Sequence, residues 1–414
     1  MSGKEFFKVT TLEAVLELVS AFPPVGEESV RLDQSVGRIL AHDVLSDIDL
    51  PEFSRATMDG YAVRAQSTFG ASESMPALLA VVGSVGMGEV PTVSVKAGEA
   101  VRIATGGMLP AGADSVVMVE HTQSLDETTI EIFKSSAPLQ HVIEVGEDLR
   151  KGEKILSKGS RVRPQEMGVL AALGRTSVPV YRQPTVAVVS SGDEIVPIEK
   201  TPTLSQLRDV NAHTLTGLVR LAGGAPVYLG IAKDNFDDLD RLLQDALALA
   251  DIVLISGGSS VGSRDFTLDV LKGLSDTEIL VHGVSVSPGK PTILAQSKQK
   301  PVWGLPGQVT SAMVVFHVMV RPAIESISGL SKDKLAQVLE VPAVLNRNLA
   351  SVQGREDFVR ARLVSRGDRF YAEPVLGKSG LIHTMVKADG LIRIERDSEG
   401  LEKGAHVNVI LLRA

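Results

Sequence analysis

The 414-residue chain has no cysteine. Disulfides, thiolate zinc sites and cysteine nucleophiles are therefore excluded, and a fold that needs no bridges suits a reducing, cytoplasmic setting. The eight histidines are scattered, without the H-E-x-x-H or paired spacing of an imidazole-held metal, so any metal partner should be a hard, oxygen-liganded ion. Long hydrophobic runs are missing as well. The N-terminus lacks an apolar signal core, and the longest apolar helical stretch, Val309 to Val320, is too short to span a bilayer, so a soluble protein without membrane contact is expected. Neither G-x-x-x-x-G-K-[ST] nor a strand-linked G-x-G-x-x-G occurs, which leaves the P-loop and dinucleotide readings unsupported. Positive charge is short too, with a formal net charge of -8. From Val341 onward twelve Lys and Arg face nine Asp and Glu, so that segment carries +3 and the remainder -11. An acidic body argues against nucleic-acid binding, and an anionic ligand would need local donors.

What is present is the composition of an ordinary globular protein, 44% hydrophobic and 22% charged, long enough for about three domains. Thr10-Thr11-Leu12-Glu13 opens a helix with a capping-box pattern, and Pro23-Pro24 closes it. Residues from about 61 to 150 are rich in β-branched residues and glycine, with short runs at Leu79–Val82, Val116–Val119 and Thr129–Phe133. That pattern predicts a mainly β module. Arg163-Pro164-Gln165-Glu166 then starts a helix with proline in its first turn, returning to the style of the N-terminal region, so the β module reads as an insertion into one helical platform.

After Arg182-Gln183-Pro184 the pattern alternates. Strands are expected at Thr185–Val189, Pro226–Ile231, Ile252–Ile255 and Pro301–Gly304, and helices at Asn211–Leu221, Phe236–Leu249, Phe266–Leu274 and from Val309. Such alternation implies an α/β domain with a mostly parallel sheet, whose ligands sit outside the carboxyl ends of the strands. Three loops of unusual composition leave those ends: Ser190-Ser191-Gly192-Asp193-Glu194, Ser256 to Asp265, and Leu305-Pro306-Gly307-Gln308. Nearby, Ser287-Pro288-Gly289-Lys290-Pro291 supplies a lysine in a stiff turn. Glycine amides, serine hydroxyls, two acidic loops and a lysine together describe a pocket for a phosphate-bearing ligand with a divalent cation. Gly258-Ser259-Ser260-Val261-Gly262 is also a literal G-x-S-x-G, the nucleophile-elbow pattern of serine hydrolases, and His282 or His317 could complete a triad on paper. No H-G-G-G-type oxyanion segment accompanies it. Beyond Leu330, short runs at Val341–Leu345, Phe358–Leu363, Phe370–Pro374, Leu391–Glu395 and His406–Leu412 predict a small barrel or sandwich, and Arg355, Arg360, Arg362 and Arg369 give it its positive balance.

Several segments in order carry a family resemblance: A-T-M-D-G-Y-A-V at 56–63, R-I-A-T-G-G-M-L-P-A-G-A-D at 102–114, G-E-D-L-R-K-G at 146–152, S-S-G-D-E-I-V at 190–196, the 256–265 loop, P-G-K-P at 288–291 and L-P-G at 305–307. Together they resemble the MoeA family, the molybdenum-inserting enzymes of molybdenum cofactor synthesis, to which the E domain of gephyrin also belongs. The resemblance implies a discontinuous helical platform (1–50 and 151–182), a β-rich inserted domain (51–150), a MogA-like α/β molybdopterin-binding domain (183–330) and a C-terminal β-barrel (336–414). It further implies a homodimer whose active sites combine the α/β domain of one subunit with the first two domains of the other, and transient contact with a molybdopterin adenylyltransferase. The implied reaction takes adenylated molybdopterin and molybdate, uses Mg²⁺, and releases AMP.

By matching position, Glu194 and Asp265 would organise Mg²⁺ and the phosphoanhydride, and Lys290 would neutralise phosphate or oxyanion charge. Asp59, Thr105, Asp148 and Asp234 match polar family positions, with Asp59 counted among the catalytic set. Ser190, Gly192, Asp193, Gly257, Gly258, Ser259, Gly262, Ser287, Gly289, Pro306 and Gly307 would line the substrate pocket. Three departures stand out: Ser287 replaces a lysine common before P-G-K, Gln308-Val309 replaces Asn-Pro, and Ser259 replaces a valine. The first removes a cation beside an anion site, which bears on the choice between molybdate and tungstate.

Overall fold

Strands buried on both faces carry apolar residues at every position, with odd and even residues entering different cores. Both sheets that flank the candidate sites are built this way. The computed structural model describes residues 9–257, 266–335 and 337–412. The chain falls into two compact units: Met1–His42, Lys158–Ala171 and Arg175–Ala414 form the larger, and Asp43–Ser157 with Ala172–Gly174 the smaller.

In the smaller unit a six-stranded sheet runs in the spatial order Ser115–Met118, Gly60–Val63, Glu99–Ile103, Ala77–Val85, Thr129–Ile132, Thr122–Ser124. Ala62, Val101, Ile103 and Val116 pack on one face, while Tyr61, Val63, Ala100 and Val117 pack on the other. All four residues of the central strand Gly60–Val63 are buried.

In the larger unit, residues on either side of the inserted segment pair with each other, Glu27–Arg31 running antiparallel to Ser177–Tyr181. The helix Leu12–Ser20 is capped by Thr11, whose side chain accepts from the Ala14 amide. The cap lies one residue later than the capping-box reading places it, which puts Glu13 out of box register. The α/β sheet has the order Ala225–Ala232, Thr185–Ser191, Ile252–Ser256, Lys300–Leu305, Ile293–Ser297, Thr277–His282. The first four strands are mutually parallel. Val186, Val188, Ile252 and Leu254 belong to one core with the helices Val210–Leu221 and Leu12–Ser20, and Ala187, Val189, Val253 and Ile255 to a second with Phe236–Leu249 and Phe266–Gly273.

The last two strands are an antiparallel extension that the alternating pattern does not announce. Their sequence signal is weak for a local reason: the turn joining Ile293–Ser297 to Lys300–Leu305 is Lys298-Gln299, at φ 49° and 63°, where Asn-Gly is the usual marker. The helix from Val309 continues through a π-turn at Phe316–Val320 into Arg321–Ile327. No helix among the described residues is long and apolar enough to cross a membrane.

The C-terminal strands close a five-stranded barrel. Glu356–Arg366 pairs with Arg369–Pro374, then follow Glu340–Leu345, His406–Leu411 and Gly390–Ile394, which returns to Glu356–Arg366. Val286–Ser287 from the α/β region adds in parallel to Glu356–Asp357, so the Ser287–Lys290 turn starts alongside a barrel strand.

Candidate active site

Register sets the floor of the site in the larger unit. Ser190 lies opposite Ser256, and Ser256 opposite Leu305, so three parallel strands end level at their carboxyl edge. There the backbones crowd. Gly257 has φ +112°, and a Cβ on it would lie 2.2 Å from the Ser191 carbonyl oxygen. Only glycine fits that conformation and that approach. The Gly257 amide reaches the Leu305 carbonyl at 3.4 Å, and a Cβ on Gly307 would sit 3.6 Å from the Gly257 Cα. Ser191, Gly257 and Gly307 therefore form a row of side-chain-poor backbone, the kind of surface a bulky anionic ligand can approach closely.

Acidic groups rim this row. The Ser191 hydroxyl donates to Asp234 Oδ1 at 3.0 Å, and the Asp234 amide donates to Asp193 Oδ1 at 3.2 Å. Gly192 turns the chain so that Asp193 and Glu194 face solvent. Ser190 is 2% exposed and its hydroxyl has no partner. The side chains here present only oxygen atoms, which suits a hard cation such as Mg²⁺ that keeps several waters and takes one or two carboxylates. Among the described residues, no group of three or more His, Asp or Glu forms a self-sufficient metal cage. Asp265, with Gly258, Ser259 and Gly262, lies outside the described residues.

One residue at this edge escaped the sequence reading. Asn211, in the first turn of the helix Val210–Leu221, donates through Nδ2 to Ser256 Oγ at 2.6 Å and to the Gly307 carbonyl at 2.8 Å. Its neighbour Asp209 caps the helix, accepting from the Ala212 amide at 3.0 Å and from the Tyr228 hydroxyl at 2.9 Å. The available signal was a helix N-cap opening directly at the strand-end loops, with an unexplained amide two residues later.

The Ser287–Lys290 turn packs on the same helix that begins after Gly307. Gly289, at φ +120°, lies so close that a Cβ would meet Val315 Cγ2 at 2.4 Å. Thr292 Oγ1 donates to the Gly289 carbonyl at 2.7 Å, and the Lys290 carbonyl accepts from the Val284 amide at 2.9 Å, which leaves the Lys290 side chain exposed. Among the described residues no ion pair joins Lys290 to Glu194. Pro306 begins the bend between the strand ending at Leu305 and the helix from Val309.

The smaller unit holds a second polar pair. Asp59 Oδ1 accepts from the Thr105 amide at 2.6 Å. That amide, then the Thr105 hydroxyl, holds the exposed Asp59 carboxyl below its ordinary range. Asp-Gly pairs commonly mark turns, but Asp59-Gly60 does not. Gly60 opens a central strand, and a Cβ there would lie 1.9 Å from the Val117 carbonyl oxygen. Hydrogen bonds between Ala56 and both Gly106 and Gly107 tie the two motif segments together. Asp148 is exposed, its amide bonded to the Leu50 carbonyl at 3.0 Å, and no hydrogen bond among the described residues draws its side chain to Asp59 or Thr105.

Comparison with known proteins adds to this geometry. Residues 10–174 match the MoeA N-terminal region (domain I and II), 187–326 a probable molybdopterin binding domain, and 342–412 the MoeA C-terminal region (domain IV). The chain is 34% identical over 395 residues to a Methanocaldococcus jannaschii protein named for molybdopterin biosynthesis, covering 93% of this chain and 92% of that one. It is 31% identical over 407 residues to the molybdopterin molybdenumtransferase of Bacillus subtilis, covering 97% and 94%. A crystal structure of a molybdopterin biosynthesis MoeA protein from Pyrococcus horikoshii superposes with a TM-score of 0.80 at 38% identity, covering 98% of this chain and all of that one.

Proposed function

The chain belongs to the MoeA family, a transferase family of molybdenum cofactor biosynthesis, and from that premise we propose that it inserts molybdate into the dithiolene of adenylated molybdopterin, with Mg²⁺, and releases AMP. The observation that carries this reading is the Ser191–Gly257–Gly307 backbone row, rimmed by Asp193, Glu194 and Asp234 at the carboxyl edge of a parallel sheet. Bare backbone admits a phosphoanhydride, and the acidic rim supplies oxygen ligands for its counter-ion.

In this reading Glu194 and Asp265 hold Mg²⁺, which when bound screens the phosphoanhydride. Lys290, free to reorient at the surface, meets oxyanion or phosphate charge, and Asp234 is held by Ser191 as a fixed acceptor at the pocket wall. Cleaving a phosphoanhydride depends mainly on charge neutralisation and positioning. Asp59 and Thr105 belong to the same reading as an oriented carboxylate–amide pair, and Asp148 as an exposed acid. The four-module division of the chain, a homodimer, a cytoplasmic location and delivery of substrate by a molybdopterin adenylyltransferase complete the proposal.

The test is AMP release from adenylated molybdopterin with Mg²⁺, run with molybdate and with tungstate, beside a light-scattering mass for the dimer. Molybdate-dependent release is expected. Tight binding of the pterin nucleotide without AMP release under either oxyanion would overturn the enzyme reading in favour of a binding or scaffold protein. Ser287, where a lysine is common, favours one further comparison: Ser287→Lys should tighten oxyanion binding, and unchanged affinities for both oxyanions would refute that role.

A further inference from the structure

We propose that Asn211 is a positioning residue that clamps two ligand loops of this site to one another, an inference that rests on the functional reading above for its ligand but not for its geometry. The two groups it bridges are Ser256 Oγ, at the end of one parallel strand, and the Gly307 carbonyl, in the loop after the next. They are 45 and 96 residues away from Asn211 in sequence. No other side chain described at this edge bonds to both loops.

Orientation of the amide is fixed by chemistry. The Gly307 carbonyl can only accept, so the NH₂ end of Asn211 has to face it. Oδ1 then points away and is buried without a partner. Strand alternation shows what surrounds it. Val186 and Val188 pack on the face that meets the helix Val210–Leu221, as do Ile252 and Leu254 on the neighbouring strand. Two residues further along each strand, Ser190 and Ser256 fall on that same face. The helix that carries Asn211 thus covers a pair of serines in an otherwise apolar layer, and the unpartnered Ser190 hydroxyl belongs to the same polar island.

A buried amide with one end unsatisfied is costly. Its use here is to hold Ser256 and Gly307 in the spacing at which a Cβ built on Gly307 would lie 3.6 Å from the Gly257 Cα, so that bare backbone faces bare backbone. Asp209 keeps the clamp rigid from below, because it caps the helix and ties its start to Tyr228 of the edge strand.

The experiment compares the full-length wild type with Asn211→Asp and Ser256→Ala. Asp has the shape of Asn but, as a carboxylate, presents an acceptor to the Gly307 carbonyl; protonated, it regains one donor. Hydrogen exchange without ligand should quicken at Gly257 and through Gly307–Thr310 in both variants, more in Asn211→Asp. AMP affinity with Mg²⁺, measured by calorimetry, should fall about tenfold for Asn211→Asp at about pH 8.5. The gap to wild type should narrow towards about pH 5.5 as the carboxylate takes up its proton. A residue with a merely structural role would show no such acid rescue. Unchanged exchange in both variants would overturn the clamp, as would an affinity gap independent of pH. If the wild type itself fails to bind AMP, the functional reading falls, and the exchange data alone decide the clamp.

Discussion

Gly257→Ala tests the backbone row directly. Alanine at φ +112° enters a region that L residues rarely adopt, at about 1–3 kcal/mol. The new Cβ would also stand 2.2 Å from the Ser191 carbonyl oxygen, where real Cβ atoms keep at least 3.0 Å. The ends of two paired strands would have to separate by roughly 1 Å, weakening the hydrogen bonds around the Ser190–Ser256 pair, at about 1 kcal/mol each. The sum is about 3–4 kcal/mol, or a fall of about 5–6 °C in the melting transition of the larger unit at an unfolding entropy of ~2.1 cal/mol/K per residue. Gly307→Ala is the control. Its Cβ would meet only the Gly257 Cα, at 3.6 Å, and Gly307 has no positive φ, so the change should cost under about 1 kcal/mol. Thermal unfolding followed by circular dichroism separates the two. Equal melting temperatures for Gly257→Ala and wild type, or an equal loss in both variants, would refute the argument.

Asp59 should titrate below free aspartate in carbon-detected NMR, because Thr105 stabilises its charged form. With the folded value depressed, its contribution to stability is present above the unfolded value and lost as pH falls through the folded one; a native midpoint at or above free aspartate would contradict the bond. Half-buried His317, lowered to about 4 chiefly by burial and then by Arg321, should stay neutral from pH 8 to 5.5 in ring-proton spectra. The unfolded chain takes up that proton first, so stability should decline as pH drops from about 6.5 towards about 4, and His317→Leu should flatten that slope. A ring that titrates near its ordinary value would sink the claim. Asp251→Ala breaks the two-point pair with Arg182, at 2.7 and 2.6 Å, and strands the Thr185 amide. About 2 kcal/mol should be lost in urea unfolding, allowing for Arg182's partial exposure. A loss under about 0.5 kcal/mol would mean that solvent replaces the pair.

Much of the α/β layer was legible because its signals are local. Helix Phe236–Leu249 coincides with the expected one, and the strands at Thr185, Ala225, Ile252 and Lys300 differ from expectation by a residue or two at their ends. The hairpin partner strands at Thr277–His282 and Ile293–Ser297 were not legible, since Lys298-Gln299 adopts positive φ without the residues that advertise it. In the smaller unit the requirement for glycine at position 60 is not legible either, since Gly60 answers to Val117, far away in the chain.

The sequence by itself determined the β-strand and helix periodicities, the glycine-rich strand ends and the order of motifs that carries the MoeA resemblance. Each of these depends on residues within one short window. Only the tertiary structure decided that Gly60 and Gly257 are required by carbonyls of distant strands, that Thr105 orients Asp59, and that Asn211 joins Ser256 to Gly307. Those facts are contacts between segments tens of residues apart, fixed by strand register and helix packing, and no local propensity encodes them.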